Sequence, residues 1–125
     1  MTATATPSIA TLDAELNQTV LGGRILDAFD RFYADDIVMQ ENNTPATVGK
    51  AANREREIKF VDSIQQFHSA AVLNTAVHGN VSFSEWVMDV TFKGGVRVKL
   101  EQVAVRKWQD GQITHERFYY NAGNA

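Results

Sequence analysis

Three short glycine-bearing dipeptides cut the second half of this chain into four runs of similar length, and no other feature limits the possible folds so sharply. Gly79-Asn80, Gly94-Gly95 and Asp110-Gly111 are each of the type that reaches positive φ in a two-residue hairpin. Between them, β-branched and aromatic residues alternate over about 66–78, 81–93, 96–109 and 112–121. The pattern predicts one continuous four-stranded antiparallel meander, with the rest of the chain available to cover it.

If Asp110-Gly111 and Gly94-Gly95 are the central residues of their turns, the register follows, because directly opposed residues share a face. Trp108 then opposes Ile113, Val105 opposes Glu116, Val103 opposes Phe118 and Trp86, and Glu101 opposes Tyr120 and Met88. One face carries Trp86, Met88, Glu101, Val103, Val105, Glu116, Phe118 and Tyr120. The other carries Val87, Leu100, Ala104, Arg106, Trp108, Ile113, His115, Arg117 and Tyr119. A one-residue bulge at Asp110-Gly111 would exchange the faces of the last strand. Both faces hold large apolar groups, so both must be covered. The apolar part of the second face, Trp108 and Ile113 included, is more than a monomer leaves exposed. A homodimer through the outer sheet face is expected, with Trp108→Glu giving a dilution-sensitive or monomeric protein.

The first half reads as covering material. Ile9, Leu12, Leu16 and Val20 recur at helical spacing over 8–21, with Asp13 and Glu15 early, where they suit the helix dipole. Gly22-Gly23 breaks that helix, and a second spans 24–33 with Ile25, Phe29 and Phe32 on one stripe. Residues 35–41 form a short edge strand, followed by the turn-rich loop Asn42-Asn43-Thr44-Pro45. A third helix spans 49–64, its buried stripe being Ala51, Ala52, Ile58, Val61 and Ile64, and its solvated side Arg54, Glu55, Arg56 and Glu57. The order implies an α+β fold, a cone-shaped, curved and mostly antiparallel sheet with helices on its concave face. Such a sheet leaves an apolar pit at one end, a natural small-molecule site.

Composition removes several classes of function. A net charge of −3 with mixed signs gives no footprint for nucleic acid. No apolar run approaches the ~20 residues of a membrane span. The absence of cysteine excludes disulfides and thiolate chemistry and suits a cytoplasmic setting. Residues 1–7 read as a frayed tail ahead of a single domain at 8–125. His68, His78 and His115 share no ligand spacing and no phosphate loop occurs, so neither metal nor cofactor is expected.

The element order, the run Tyr33-Ala34-Asp35-Asp36, the helix start Gly49-Lys50-Ala51-Ala52, and the ending from Trp108-Gln109-Asp110-Gly111 to Glu116-Arg117-Phe118-Tyr119-Tyr120 together resemble the SnoaL-like polyketide cyclase family. That family belongs to the nuclear transport factor two-like superfamily, alongside ketosteroid isomerases, scytalone dehydratases and limonene epoxide hydrolases. The resemblance covers nearly the whole domain and implies the same cone. Counting from Tyr33, it puts Glu41 where ketosteroid isomerases hold their aspartate general base. It implies no matching oxyanion hole, since the equivalent positions are Leu16-Asn17-Gln18-Thr19 and Val103 or Ala104; an amide of Asn17 or Gln18 is the available donor. Polyketide cyclases of the family use a carboxyl group near the end of the sheet, a place that Glu101 or Glu116 would fill.

The resulting expectation is a pocket for a small apolar or aromatic ligand, contacted by Tyr33, Met39, Phe60, Trp86, Met88, Glu101, Val103, Glu116, Phe118 and Tyr120, with Glu41 as catalytic base. A carboxylate in an apolar pit has a raised pKa and suits removal of a proton next to a carbonyl, in an isomerisation, cyclisation or dehydration. Two rivals stand beside it: a non-catalytic carrier or sensor, and a dimeric interaction module whose pit is filled by its own Phe60, Trp86 and Phe118.

Overall fold

The computed structural model describes residues 7–121, so the expected tail, Pro7 excepted, lies outside the described residues. Helix α1, Ile9–Leu21, begins where the Ser8 hydroxyl accepts a 3.1 Å bond from the Thr11 amide and ends at Gly22. Helix α2, Ile25–Phe32, runs directly into strand β1, Tyr33–Glu41. A two-residue strand β2, Thr47–Val48, follows, then helix α3, Lys50–Ser63, and the strands β3, Ile64–His78, β4, Val81–Phe92, β5, Arg97–Gln109, and β6, Gln112–Tyr120.

The six strands form one sheet in the order β2-β1-β6-β5-β4-β3. The meander from β3 to β6 is present, but β1 is no edge strand. It lies parallel to β6, with Met39 opposite Glu116 and Glu41 opposite Phe118, while β2 takes its other side. The short β2 was invisible to periodicity because two residues carry none. Two apolar clusters hold the layers together. Leu12, Leu16, Phe29 and Phe32 pack on Ile37, Met39, Trp108 and Ile113, while Trp86, Met88 and Ala104 form the second cluster. Val20 and Phe118 touch both, so the cavity described below opens where the two clusters meet. Nearly complete burial of Phe29 and Phe32 contributes roughly 2–3 kcal/mol each.

Two single-residue slips change the predicted faces. Phe92 donates to Val96 across the Gly94-Gly95 hairpin and Thr91 opposes Arg97, so Lys93, Gly94 and Gly95 make a three-residue loop. Trp86 therefore opposes Gln102, not Val103, and Met88 opposes Leu100, not Glu101. At the Asp110-Gly111 hairpin the two-residue turn forms, with both residues at positive φ. The ladder then slips at Thr114, from Trp108 opposite Ile113 to Lys107 opposite His115. The slips cancel for β6, so Trp86, Met88, Glu116, Phe118 and Tyr120 share the helix-facing side as expected. They do not cancel for β5. Leu100, Gln102, Ala104, Arg106 and Trp108 face the helices, whereas Glu101, Val103 and Val105 face away.

The correction removes Trp108 and Ile113 from the outer face. Trp108 is 3% exposed, packs edge-on against Phe32 and donates from Nε1 to the Ser82 hydroxyl. Trp108→Glu would place a charge in the core and says nothing about a dimer. The outward face instead mixes Phe83, Val87, Val103, Val105 and Tyr119 with charged neighbours. Helix α3 also turns differently: Ala51 and Ala52 are exposed, and its buried residue is Asn53.

A carboxyl-bearing cavity as the candidate active site

Asn53, Glu57 and Phe60 lie four and then three residues apart, which puts them on one face of α3. Asn53 fixes that face: its amide donates to the carbonyls of Thr47 at 2.9 Å and Gly49 at 2.8 Å, joining the helix start to β2. Outside, Arg54 pairs with Asp30 through two bonds of 2.8 and 3.1 Å, and Lys50 reaches the Asp30 carbonyl at 3.0 Å. With its outer face held on α2, the helix directs Glu57 and Phe60 to a cavity of about 480 Å³.

The cavity wall is mostly apolar. Leu16 and Val20 come from α1, Phe29 from α2, Met39 from β1, Trp86 and Met88 from β4, Leu100 from β5 and Phe118 from β6. Phe60, Trp86 and Phe118 line the space and leave it open, against the reading in which they fill it. Tyr33, Met39, Phe60, Trp86, Met88, Phe118 and Tyr120, all expected contact residues, are brought together here with Glu41, the expected base. Glu101 and Val103 are not. Glu101 is 69% exposed on the outer face, 3.6 Å from Lys99, and Val103 lies on that same face opposite Tyr119.

Glu41 lines the cavity but is no desolvated base. Its carboxylate is 41% exposed and bonds Arg56 Nη2 at 2.5 Å; burial, then the charge of Glu41, raises the Tyr120 hydroxyl above its ordinary value. Glu57 has the environment expected of Glu41. It is half-buried in the cavity wall and makes no hydrogen bond or ion pair with the described residues. Burial first, then the negative charges of Glu116 and Glu41, push its carboxyl from 4.5 up to about 7, against the opposing Arg56.

A buried polar cluster lies against the cavity. Arg106 donates from Nε to Glu116 at 2.7 Å and from Nη1 to Asp13 at 2.7 Å and Asn17 at 2.9 Å. The Tyr33 hydroxyl donates to the other oxygen of Glu116 at 2.6 Å. Ser82 and Ser84 donate to Asp13 at 2.8 and 2.6 Å, and Asn17 donates to Ser84 at 3.0 Å. Burial alone would favour a neutral guanidinium, but Glu116, Tyr33 and Asp13 outweigh it and hold the proton on Arg106 more firmly than usual. Burial, then Glu116, raises the Tyr33 hydroxyl well above its ordinary value, so it remains a donor. Glu116 is thus a structural acceptor behind the wall, and Asp13 a buried partner and no dipole ornament. Asn17 has spent its amide and Gln18 is exposed, so neither is a donor to the cavity.

Sequence reasoning missed Glu57 because it placed the α3 stripe on apolar residues. The available signal was the spacing of Asn53, Glu57 and Phe60, a polar stripe continuous with an aromatic one. It missed the inward side of Arg106 because the face of β5 depended on one loop residue.

A curved sheet with three helices on one face and a blind cavity between them defines the α+β cone of nuclear transport factor two-like and ketosteroid isomerase-like proteins. Within that class, the chain belongs to the SnoaL-like domain family, whose sequence model matches residues 6–120. Among solved structures it is similar to a candidate SnoaL-like polyketide cyclase from Mesorhizobium loti, at 28% identity and a TM-score of 0.80, covering 91% of this chain and 100% of that one. A candidate isomerase from Rhodopseudomonas palustris matches at 16% identity and a TM-score of 0.74, over 94% of this chain and 92% of that one. A Catenulispora acidiphila protein with a ketosteroid isomerase-like fold, in complex with trimethylamine, matches at 18% and 0.72, over 94% and 88%. The latter two bear on the fold alone. No curated protein matches the sequence. No helix among the described residues is long and apolar enough to cross a membrane.

Proposed function

We propose that this protein is a cofactor-free enzyme that moves a proton on a small apolar carbonyl compound, with Glu57 as the acid–base group. The observation that carries the reading is a half-buried carboxyl group in the wall of an apolar cavity, without a hydrogen bond or ion pair among the described residues, where burial, then Glu116 and Glu41, push its pKa up to about 7. Such a group is half-ionised at neutral pH, so it can both take and return a proton in one turnover. Isomerisation, aldol closure and dehydration all share that step. Glu41, tied to Arg56 at the wall, acts on Glu57 through its charge.

The test is deuterium exchange next to the carbonyl of a panel of polycyclic and aromatic ketones, followed by NMR in D₂O from pH 5 to 9. Exchange is expected to rise through a midpoint near 7 and to vanish in Glu57→Gln. An exchange rate unaffected by that substitution, for every ketone that binds, would refute the assignment. Glu41→Gln is expected to retain exchange with its midpoint moved to lower pH, because one of the charges opposing Glu57 ionisation is gone. A midpoint that rises or stays fixed would show that Glu41 does not act this way.

The proposal keeps the cytoplasmic setting and the homodimer through the outer sheet face, now built on Val103, Val105 and a Tyr119 that is 45% exposed. Val103→Glu is expected to convert a dimer to a monomer in sedimentation velocity at micromolar concentration. An unchanged dimer would place the interface elsewhere.

A further inference from the structure

Arg106 is almost entirely enclosed, with a side chain 4% exposed, yet it lines the cavity. Its guanidinium is held from both sides. Glu116 on β6 takes Nε, and Asp13 and Asn17 on α1 take Nη1. Nη2 forms no hydrogen bond with the described residues. A planar fork fixed by two nitrogens presents the third in a set direction, without the entropy loss of a free side chain. Of the other donors nearby, Tyr33 gives its proton to Glu116 and Asn17 gives its amide to Ser84, while Gln102 and Lys59 line the cavity on flexible side chains that no hydrogen bond with the described residues holds in place. Trp86 Nε1 is a buried donor without a partner among the described residues, on a residue that also lines the cavity.

We propose that Arg106 is the oxygen-binding site of the cavity: Nη2 donates to the carbonyl oxygen of the bound compound and holds the negative charge that gathers there when Glu57 removes the neighbouring proton. The catalytic half of this assignment rests on the role proposed for Glu57; the binding half does not. In the reaction, the C–H bond beside the carbonyl breaks and its electron pair forms a C=C bond. The carbonyl π pair moves onto oxygen, and the proton passes to the Glu57 carboxylate, which later returns it to carbon. One negative charge leaves Glu57 as one appears on oxygen, so the total charge in the cavity does not change. Stabilisation comes from a donor already in place where the charge develops.

The same cluster defines the substrate class. One guanidinium stands against the two carboxylates of Asp13 and Glu116, so its charge is more than offset before a ligand arrives. A carboxylate or phosphate would bring a further negative charge beside Asp13 and Glu116, whereas a neutral carbonyl brings none and takes on charge only as Glu57 gives up its own. Arg106 therefore selects a neutral acceptor oxygen on an otherwise apolar body.

The experiment uses three probes of one shape, 2-acetonaphthone, 2-ethylnaphthalene and 2-naphthoate, with calorimetry for affinity and infrared difference spectra for the C=O band. The ketone is expected to bind the wild type about tenfold more tightly than the hydrocarbon, the worth of one charge-assisted hydrogen bond. The naphthoate is expected to bind more weakly than both. The bound C=O band is expected at lower frequency than in an apolar solvent, to shift back in Arg106→Lys, and to stay in Trp86→Phe. Exchange in Arg106→Lys is expected to fall by about 10²–10³. Equal binding of ketone and hydrocarbon, a band unchanged in Arg106→Lys, or a shift lost in Trp86→Phe would overturn the assignment. Should Arg106→Lys not fold, the wild-type probe series and the Trp86→Phe spectrum still decide it. A shifted band with no exchange in the wild type would support Arg106 as a binding group while refuting the acid–base role of Glu57.

Discussion

Glu57→Gln is expected to abolish proton exchange and, at pH 8, to leave the protein more stable than the wild type. The folded-state pKa of Glu57 lies above its ordinary value, about 7 against 4.5. Between those values the folded state therefore binds more protons than the unfolded state, and stability falls as pH rises. The favourable contribution is complete below about 4.5 and is lost once pH passes 7. A displacement of that size is worth about 3 kcal/mol, the cost at pH 8 of holding a charge in the cavity wall beside Glu116 and Glu41, with Arg56 as the opposing cation. Glutamine carries no charge to hold. Urea unfolding of both proteins at pH 4 and pH 8 should show little difference at the lower pH and a gain for the variant at the higher. An equal difference at both would mean that ionisation of Glu57 carries no cost. A group whose removal stabilises the fold while ending the reaction is retained for chemistry.

The sheet was legible because its turns are written in residues chosen for backbone geometry. Gly79-Asn80 and Asp110-Gly111 mark their hairpins to the residue. What was not legible depended on single residues that local sequence leaves free. Lys93 joins the loop at Gly94-Gly95, and Thr114 steps out of the ladder; each turns one strand over relative to its neighbour. Because the two cancel, Glu116, Phe118 and Tyr120 were placed correctly, while Glu101 and Arg106 exchanged faces. Glu41 was read by counting along a segment similar to one in ketosteroid isomerases, which finds the wall of the cavity but not which carboxyl is desolvated there. That property arises from three elements at once. Glu57 comes from α3, its neighbour Glu116 from β6 and Glu41 from β1, and nothing in the order of the chain announces their meeting.

Arg106→Met is expected to destabilise the protein by about 3–5 kcal/mol, the usual result of removing one member of a buried ionic cluster. The methionine would fill much of the space, so the loss is electrostatic. Asp13 loses a 2.7 Å partner and keeps only the donors of its helix neighbour Asn17 and of Ser82 and Ser84, while Glu116 keeps only Tyr33. Both carboxylates stay enclosed, 2% and 0% exposed, with no cation between them. The cause can be separated from packing by adding Asp13→Asn and Glu116→Gln to Arg106→Met. The triple variant should recover at least half of the loss, since neutral amides keep the donors of Tyr33, Ser82 and Ser84 satisfied without a net charge. Urea midpoints at constant slope measure both steps. A single variant within about 1 kcal/mol of the wild type would mean that the cluster is not a structural tie. A triple variant no better than the single one would assign the loss to shape. If the expected pattern is found, the cluster that fixes α1 to the sheet is also what aims Nη2 at the cavity, so fold stability and the oxygen site have one origin.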